Sequence, residues 1–151
     1  EGLYVFGEPG TGKTFLAAII AQELLKQGKT VIFGDVPTLL DALKSTFDGE
    51  GRLDELMRTL AEVDALILDD LGTEQPTEWA VERLYKIINA RYVTGRTTIV
   101  TSNYEPKAVA DRLNKPKNGG VGVSGSRIIS RLQEMCRIAA IGGSDRRLRR
   151  R

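Results

Sequence analysis

The sequence contains no histidine and only one cysteine, Cys136, among its 151 residues. These absences exclude a disulfide framework, a zinc site made of Cys and His, and any catalytic triad that uses His. No apolar run approaches the roughly 18 residues of a membrane-spanning helix, and the N-terminus lacks the pattern of a secretory signal. We therefore predict a cytoplasmic protein without membrane contacts, whose chemistry comes from Lys, Arg, Asp, Glu, Thr, Ser and Asn.

The composition is that of one soluble globular domain, with 41% hydrophobic and 28% charged residues, and we predict a single domain over residues 1–151. Charge is concentrated at one end, because five of the last six residues are arginine. Without these five, 17 basic residues face 20 acidic ones, and the net charge is −3 instead of +2. A mildly acidic body thus carries a basic tail that could contact phosphates, nucleic acid or an acidic partner.

Five short apolar segments alternate with segments of helical periodicity. The predicted strands are residues 3–6, 30–33, 65–68, 97–101 and 136–141. The predicted helices are residues 13–26, 37–47, 53–60, 79–92, 106–113 and 126–135. Residues 115–125 are basic and rich in glycine, which predicts a loop. Because parallel strands are usually connected through helices, the alternation predicts an α/β fold, a parallel sheet with helices on both faces.

Residues 7–14 read GEPGTGKT and fit the phosphate-loop pattern G-x-x-x-x-G-K-[ST] in full. Glycines let backbone N–H groups and the N-terminus of the next helix approach a polyphosphate. Lys13 would add a charge between the β- and γ-phosphates, and Thr14 would offer a hydroxyl to Mg²⁺. The sequence has no N-K-x-D element to read guanine, so we predict ATP as the ligand. The predicted ATP-binding residues are Gly7, Glu8, Pro9, Gly10, Thr11, Gly12, Lys13 and Thr14.

Polar residues follow two of the predicted strands. Asp69 and Asp70 come after the apolar segment 65–68, at the edge where open α/β sheets bind ligands. We predict that Asp69 holds Mg²⁺ together with Thr14 and that Asp70 polarises the attacking water; the alternative is that one aspartate caps the following turn. Asn103 follows segment 97–101 and would come near the γ-phosphate if that strand lies beside the phosphate-loop strand. Taken alone, an Asn in this position is more often a turn residue.

Four segments occur in the order GEPGTGKT, ALILDDLG, TIVTSN and SRIISRLQEMCRIAAIGGSDRR. With these segments the chain resembles the AAA+ ATPase domain of bacterial and phage helicase loaders of the DnaC/DnaI type, and the similar IstB-type transposition ATPases. The resemblance implies a three-layer P-loop NTPase fold with a five-stranded parallel sheet of order 5-1-4-3-2. The chain departs from the usual AAA+ pattern in one respect, because we expect the helical lid after the last strand to be absent or reduced to the arginine-rich tail.

The resemblance further implies ATP hydrolysis by a ring or spiral of subunits, with ATP at the subunit interfaces. Most AAA+ proteins have Glu in the position of Asp70, and this shorter carboxylate leads us to expect slow hydrolysis. Arg131 matches the position of the arginine finger, which acts on the γ-phosphate of a neighbouring subunit. Arg147 is the nearest match to the arginine of the second sensor, with Arg146 close behind. An arginine supplied by a neighbour makes hydrolysis depend on assembly. On spacing alone, Arg131 would instead be solvated or paired with Glu134.

The partners implied by the resemblance are single-stranded DNA and a DnaB-type replicative helicase, in DNA replication initiation. The helicase would be held by an N-terminal region that is missing here, so we expect the chain to be a fragment. Basic residues that could follow DNA phosphates are Lys107, Arg112, Lys115 and Lys117. Scattered surface lysines, however, usually serve solubility.

Three other functions remain open at this point. An IstB-like transposition helper ATPase would act on duplex DNA for a transposase. A monomeric P-loop phosphotransferase would act on a small molecule and would not need Arg131. A nucleotide-gated binding module would hardly hydrolyse ATP.

Overall fold

The computed structural model describes residues 1–46, 49 and 51–143, which form five strands and six helices. The strands are β1 (Gly2–Phe6), β2 (Val31–Asp35), β3 (Ala65–Asp69), β4 (Thr97–Ser102) and β5 (Cys136–Ala140). The helices are α1 (Lys13–Lys26), α2 (Val36–Ser45), α3 (Arg52–Glu62), α4 (Glu78–Thr94), α5 (Pro106–Leu113) and α6 (Ser124–Met135). All strands are parallel in the order β2-β3-β4-β1-β5, which confirms the order 5-1-4-3-2 implied by the resemblance.

The sheet is covered on both faces, so the domain has three layers. On one face α1 packs Ala17 and Ala21 against Ile67 and Ile99. Successive residues of a strand point to opposite faces, and the neighbours of Ile67 in β3 therefore belong to the other side. There the larger core cluster combines residues of β1, β3 and β4 with residues of the other five helices. Within the described residues, no helix is both long and apolar enough to cross a membrane.

Local signals set the ends of α4, the longest helix of the described chain. The hydroxyl of Thr77 accepts a hydrogen bond from the backbone N–H of Ala80 at 3.2 Å and so caps the first turn. Gly95 ends the helix with a φ of 68°, a left-handed conformation that glycine adopts at low cost. Thr77 and Gly95 therefore set the two ends of α4.

The predicted loop at residues 115–125 ends earlier than expected, because α6 begins at Ser124. Gly125 is buried at the contact between α6 and α5. A Cβ on this residue would lie 2.6 Å from the carbonyl oxygen of Ala110 and 2.7 Å from Cβ of Leu113. Gly125 thus serves close helix packing and not loop flexibility. The helix predicted at 37–47 begins at Val36, and residue 47 lies outside the described residues.

A fully buried arginine of α4 joins the end of α3, the segment before β3 and the start of β4. Arg91 of α4 is 0% exposed, and its Nε donates to Oγ1 of Thr98 at 2.9 Å. Its terminal nitrogens donate to the carbonyl oxygens of Leu60 at 3.0 Å, Val63 at 2.7 Å and Thr97 at 2.5 Å. Burial lowers the pKa of the guanidinium to about 10, which leaves it charged at neutral pH. Arg91 therefore holds the C-terminal end of α3 against the start of β4.

Candidate nucleotide-binding site

The glycine-rich loop lies between β1 and α1, at the carboxyl end of the sheet. Gly7 has no room for a side chain, because a Cβ there would lie 2.2 Å from the carbonyl oxygen of Ile141. The chain after β5 is fixed in this place by the N–H of Ile141, which donates to the carbonyl of Phe6 at 2.8 Å. Gly10 and Gly12 have φ values of 81° and 99°, which glycine adopts most readily. Each of the three glycines therefore has a steric reason for its position.

The ammonium group of Lys13 lies inside this loop. Lys13 is 5% exposed, and its Nζ donates to the carbonyl oxygens of Gly7 and Glu8, both at 2.8 Å. The hydroxyl of Thr11 closes the same turn by donating to the carbonyl of Glu8 at 2.8 Å. The N-terminus of α1 has Gly12 as its cap, without a capping side chain or an acidic residue in the first turn. The loop thus combines a buried positive charge with a helix N-terminus, which suits a polyphosphate.

The two residues predicted to hold the metal ion are in contact. The hydroxyl of Thr14 donates to both carboxylate oxygens of Asp69, at 3.0 and 3.1 Å. Asp69 is 5% exposed and ends β3. Within the described residues there is no group of three or more Cys, Asp or Glu that could hold a metal ion. One carboxylate and one hydroxyl fit Mg²⁺, which usually binds few protein ligands and takes phosphate oxygens and water as the others.

Asp70 has a different environment from Asp69. It is half-buried, and its φ of 59° makes it the one residue other than glycine with positive φ in the described chain. Its backbone N–H donates to Oγ1 of Thr101 at 3.0 Å, and its carbonyl accepts from Oγ1 of Thr73 at 2.9 Å. Backbone conformations of this kind cost energy and occur preferentially at functional sites. The two aspartates are therefore held separately, one at the strand end and one in the turn.

Asn103 leaves β4 beside the start of the phosphate loop. β4 is the neighbour of β1, with Ser102 in register with Phe6. The N–H of Gly7 donates to the carbonyl of Ser102 at 3.2 Å. The strand before Asn103 thus lies beside the phosphate-loop strand, as the proximity of Asn103 to a γ-phosphate requires. Its contact with a γ-phosphate stays a prediction.

Arg131 is not part of this cluster. Its Nε donates to Oδ1 of Asn89 at 3.1 Å, and its guanidinium lies 4.7 Å from the ring centroid of Tyr92. A terminal nitrogen is 3.8 Å from the carboxylate of Glu134, the pairing that spacing alone suggests. In the described part of the chain, its partners come from α4 and α6 and not from the phosphate loop. Arg146, Arg147 and the rest of the arginine-rich tail lie outside the described residues.

Two residues near Asp69 and Asp70 have roles that the sequence did not indicate. Thr101 donates to Asp69, and its only signal in the sequence is a β-branched residue in a strand. Arg112 was a candidate for DNA phosphates. Its Nε donates to the carbonyl of Gly72 at 2.6 Å, and its guanidinium lies 4.5 Å from the ring centroid of Tyr104. Arg112 therefore fastens the loop after Asp70, whereas the three candidate lysines are exposed.

The order of the sheet, the loop after β1 and the acidic turn after β3 define a P-loop NTPase of the AAA+ class. The family model described as IstB-like ATP binding protein matches residues 1–151. The chain therefore belongs to the family of IstB-like ATP-binding proteins.

Curated relatives and solved structures agree with this membership. YdaV of Escherichia coli (strain K12) is 32% identical over 124 residues, which are 82% of this chain and 50% of YdaV. The replicative helicase loader DnaC of the same strain is 36% identical over 98 residues, 64% of this chain and 40% of DnaC. A crystal structure of the DnaC helicase loader is 30% identical with a TM-score of 0.79, covering 94% of this chain and 78% of that one. The chain spans half or less of the length of these two curated relatives.

Proposed function

We propose that this domain binds ATP with Mg²⁺ and hydrolyses it, as the ATPase domain of a replicative helicase loader. The observation that carries the proposal is the contact between Thr14 at the start of α1 and Asp69 at the end of β3, beside the buried Lys13. The relatives named DnaC support the helicase-loader assignment. Charge neutralisation at the β- and γ-phosphates is the chemistry that Mg²⁺ supplies when bound.

The catalytic roles follow from the positions of the side chains. Asp70, held in the turn next to Asp69, is proposed to polarise the attacking water. Asn103, beside the first loop residue, is proposed to orient that water or to sense the γ-phosphate. Lys13 and the loop N–H groups hold the phosphates in place, so that most of the rate enhancement comes from positioning and charge.

Arg131 is proposed to act on the ATP of a neighbouring subunit. Two observations support this role over one within its own subunit. The described partners of Arg131 lie on α4 and α6, and α6 leads into the amino end of β5. The phosphate loop follows the opposite, carboxyl end of β1. Hydrolysis would then require a ring or spiral of subunits. Arg147 as the second sensor is a prediction from the resemblance alone.

The proposed partners are single-stranded DNA and a DnaB-type helicase, the latter bound by a region outside this chain. The family description IstB-like supports a second candidate, a transposition helper ATPase. A pull-down with the full-length protein distinguishes the two, because a helicase loader retains the replicative helicase and a transposition helper retains a transposase.

The test measures the ATPase rate per subunit of the full-length protein over a wide range of protein concentrations, with and without single-stranded DNA. We expect the rate to rise with concentration and with DNA, and Lys13→Ala to lose ATP binding. Arg131→Ala and Asp70→Asn subunits should each be inactive and should recover partial activity when mixed. A rate that is independent of concentration and of Arg131 would support a monomeric phosphotransferase instead. ATP binding and DNA binding without turnover would support a nucleotide-gated module.

A further inference from the structure

The hydroxyl of Thr101 connects the two aspartates of the candidate site. Thr101 is 1% exposed in β4, the strand next to β3. Its Oγ1 donates to Oδ1 of Asp69 at 2.5 Å and accepts from the backbone N–H of Asp70 at 3.0 Å. A threonine hydroxyl has a single proton, so that proton is committed to the Asp69 carboxylate. One buried side chain therefore contacts both acidic residues.

The backbone of Thr101 holds the same turn. The register of β3 with β4 extends to Leu68 opposite Val100. Beyond this pair, the N–H of Leu71 donates to the carbonyl of Thr101 at 2.9 Å. Thr101 thus accepts hydrogen bonds from two successive N–H groups, that of Asp70 with its side chain and that of Leu71 with its carbonyl. These two bonds offset the cost of the left-handed backbone at Asp70.

The Asp69 carboxylate lies between two hydroxyl groups. Thr14 contacts it from the start of α1, and Thr101 contacts it from the sheet. The two hydroxyl groups together restrict rotation of the carboxylate, and the bond from Thr101 is the one that comes from the sheet. A valine at this position would have nearly the shape of threonine but would lose both side-chain bonds and leave the N–H of Asp70 without this acceptor.

We propose that Thr101 is a positioning residue of the phosphate site, which orients Asp69 for Mg²⁺ and fixes the turn that carries Asp70. The proposal rests on the ATP- and Mg²⁺-binding function proposed above. Thr101 acts through the aspartates, and its described contacts include no residue of the phosphate loop. Residues that orient a metal ligand in this way typically contribute about 10- to 100-fold to metal affinity or activity.

The test is Thr101→Val in the full-length protein, with binding of a fluorescent ATP analogue measured in EDTA and over a Mg²⁺ titration. We expect the affinity in EDTA to stay within about twofold of wild type, because Lys13 and the loop are unchanged. The Mg²⁺ concentration for half-maximal enhancement of binding should rise about tenfold. Thr101→Ser restores the hydroxyl and should restore the wild-type Mg²⁺ midpoint.

Thr98→Val is the matched control, because Thr98 is also buried in β4 and its hydroxyl bonds Arg91, away from the site. It should lower stability and leave the Mg²⁺ midpoint unchanged. Should Thr101→Val fail to fold, the same change is made together with Asp70→Gly, which removes the backbone strain. The double variant should still have a higher Mg²⁺ midpoint than Asp70→Gly alone.

Three results would overturn the role of Thr101. They are an unchanged Mg²⁺ midpoint in Thr101→Val, a serine variant no better than the valine variant, and an equal shift in Thr98→Val. These results presuppose that the wild-type protein binds the analogue and responds to Mg²⁺. A wild-type protein that does neither would instead refute the proposed function itself.

Discussion

The guanidinium of Arg131 stacks on the ring of Tyr92 of the same subunit, with 4.7 Å between its central carbon and the ring centroid. Oδ1 of Asn89, which lies one turn before Tyr92 on α4, accepts a hydrogen bond from Nε of Arg131. A stacked and hydrogen-bonded guanidinium keeps fewer rotamers than a solvated one. In the proposed mechanism, Arg131 would therefore be ordered before the subunits meet.

Tyr92→Leu should lower the ATPase rate of the assembled protein and leave ATP binding unchanged, because it loosens Arg131 and not the phosphate loop. We expect a loss of about 1 kcal/mol of transition-state stabilisation, roughly a fivefold lower rate. The measurement is the ATPase rate at saturating protein concentration, together with ATP affinity. Mixing two variants tests the direction of the contact. Tyr92→Leu subunits keep an intact ATP site, and Lys13→Ala subunits keep an ordered Arg131. The ATPase rate of the mixture should therefore exceed that of Tyr92→Leu alone.

Tyr85→Leu is the control for this substitution. Arg127 lies 5.8 Å from the ring centroid of Tyr85, in a second arginine–tyrosine pair on the same two helices. The proposed mechanism does not use Arg127, so the ATPase rate should stay near wild type. Equal losses in the Tyr85 and Tyr92 variants would mean that packing between α4 and α6, and not the ordering of Arg131, sets the rate.

Gly7→Ala should weaken ATP binding and destabilise the domain. A Cβ at Gly7 would lie 2.2 Å from the carbonyl oxygen of Ile141, so the loop or the chain after β5 must move. We expect a loss of about 1–3 kcal/mol in the free energy of unfolding, measured by urea denaturation. Gly34→Ala is the matched control, because no atom lies within 4 Å of a Cβ there. Equal stability of the two variants would contradict the steric argument.

Arg91→Met should destabilise the fold strongly without changing a residue of the site. Methionine fills similar space but leaves the carbonyl oxygens of Leu60, Val63 and Thr97 without the donor they have in the wild type. We expect a loss of about 3 kcal/mol in the free energy of unfolding. Arg58→Met on exposed α3 surface should change it by less than about 0.5 kcal/mol. Similar midpoints of urea denaturation for both variants would show that Arg91 is not needed.

Cys136 should give the domain a pH-dependent stability above pH 9. Burial raises the pKa of its thiol from the usual 9.0 to about 12. Between these values the unfolded chain releases the proton while the native chain keeps it, so the free energy of unfolding falls as the pH rises. The slope approaches about 1.4 kcal/mol per pH unit from this group.

Cys136→Ala isolates this contribution, because other groups titrate equally in both proteins. The measurement is urea denaturation of the two proteins from pH 8 upward. We expect the stability of wild type relative to Cys136→Ala to be constant below pH 9 and to decline above it. A constant difference over the whole range would mean that the thiol ionises as easily in the native state as in the unfolded chain.

The parts of the site that are contiguous in sequence could be predicted from it. The phosphate loop is a single run of residues that fits a known motif, although the close contact at Gly7 comes from the distant Ile141. Asp69 and Asp70 follow a strand that is apolar throughout. The sheet order, by contrast, came from the resemblance, because strand pairing depends on contacts between distant segments that no local pattern encodes.

The residues that the sequence did not reveal depend on partners far along the chain. Thr101 follows the β-branched pattern of its strand, and the partner of its hydroxyl lies 32 residues earlier. Arg91 looks like a solvated helix residue, because charged side chains are rarely fully buried. Tyr92 is half-exposed beneath Arg131, an arginine of another helix that no local pattern pairs with it. In each case a tertiary contact decides the role.

The carbonyl of Ile141 against Gly7 has a consequence for protein engineering. The eight-residue motif packs against the residue that follows the edge strand β5, so it is not a self-contained unit. Grafting the motif onto another scaffold would transfer its sequence without the backbone that packs against Gly7. A truncated protein that lacks β5 and Ile141 would still contain the motif, but its phosphate loop would lose the backbone packed against Gly7.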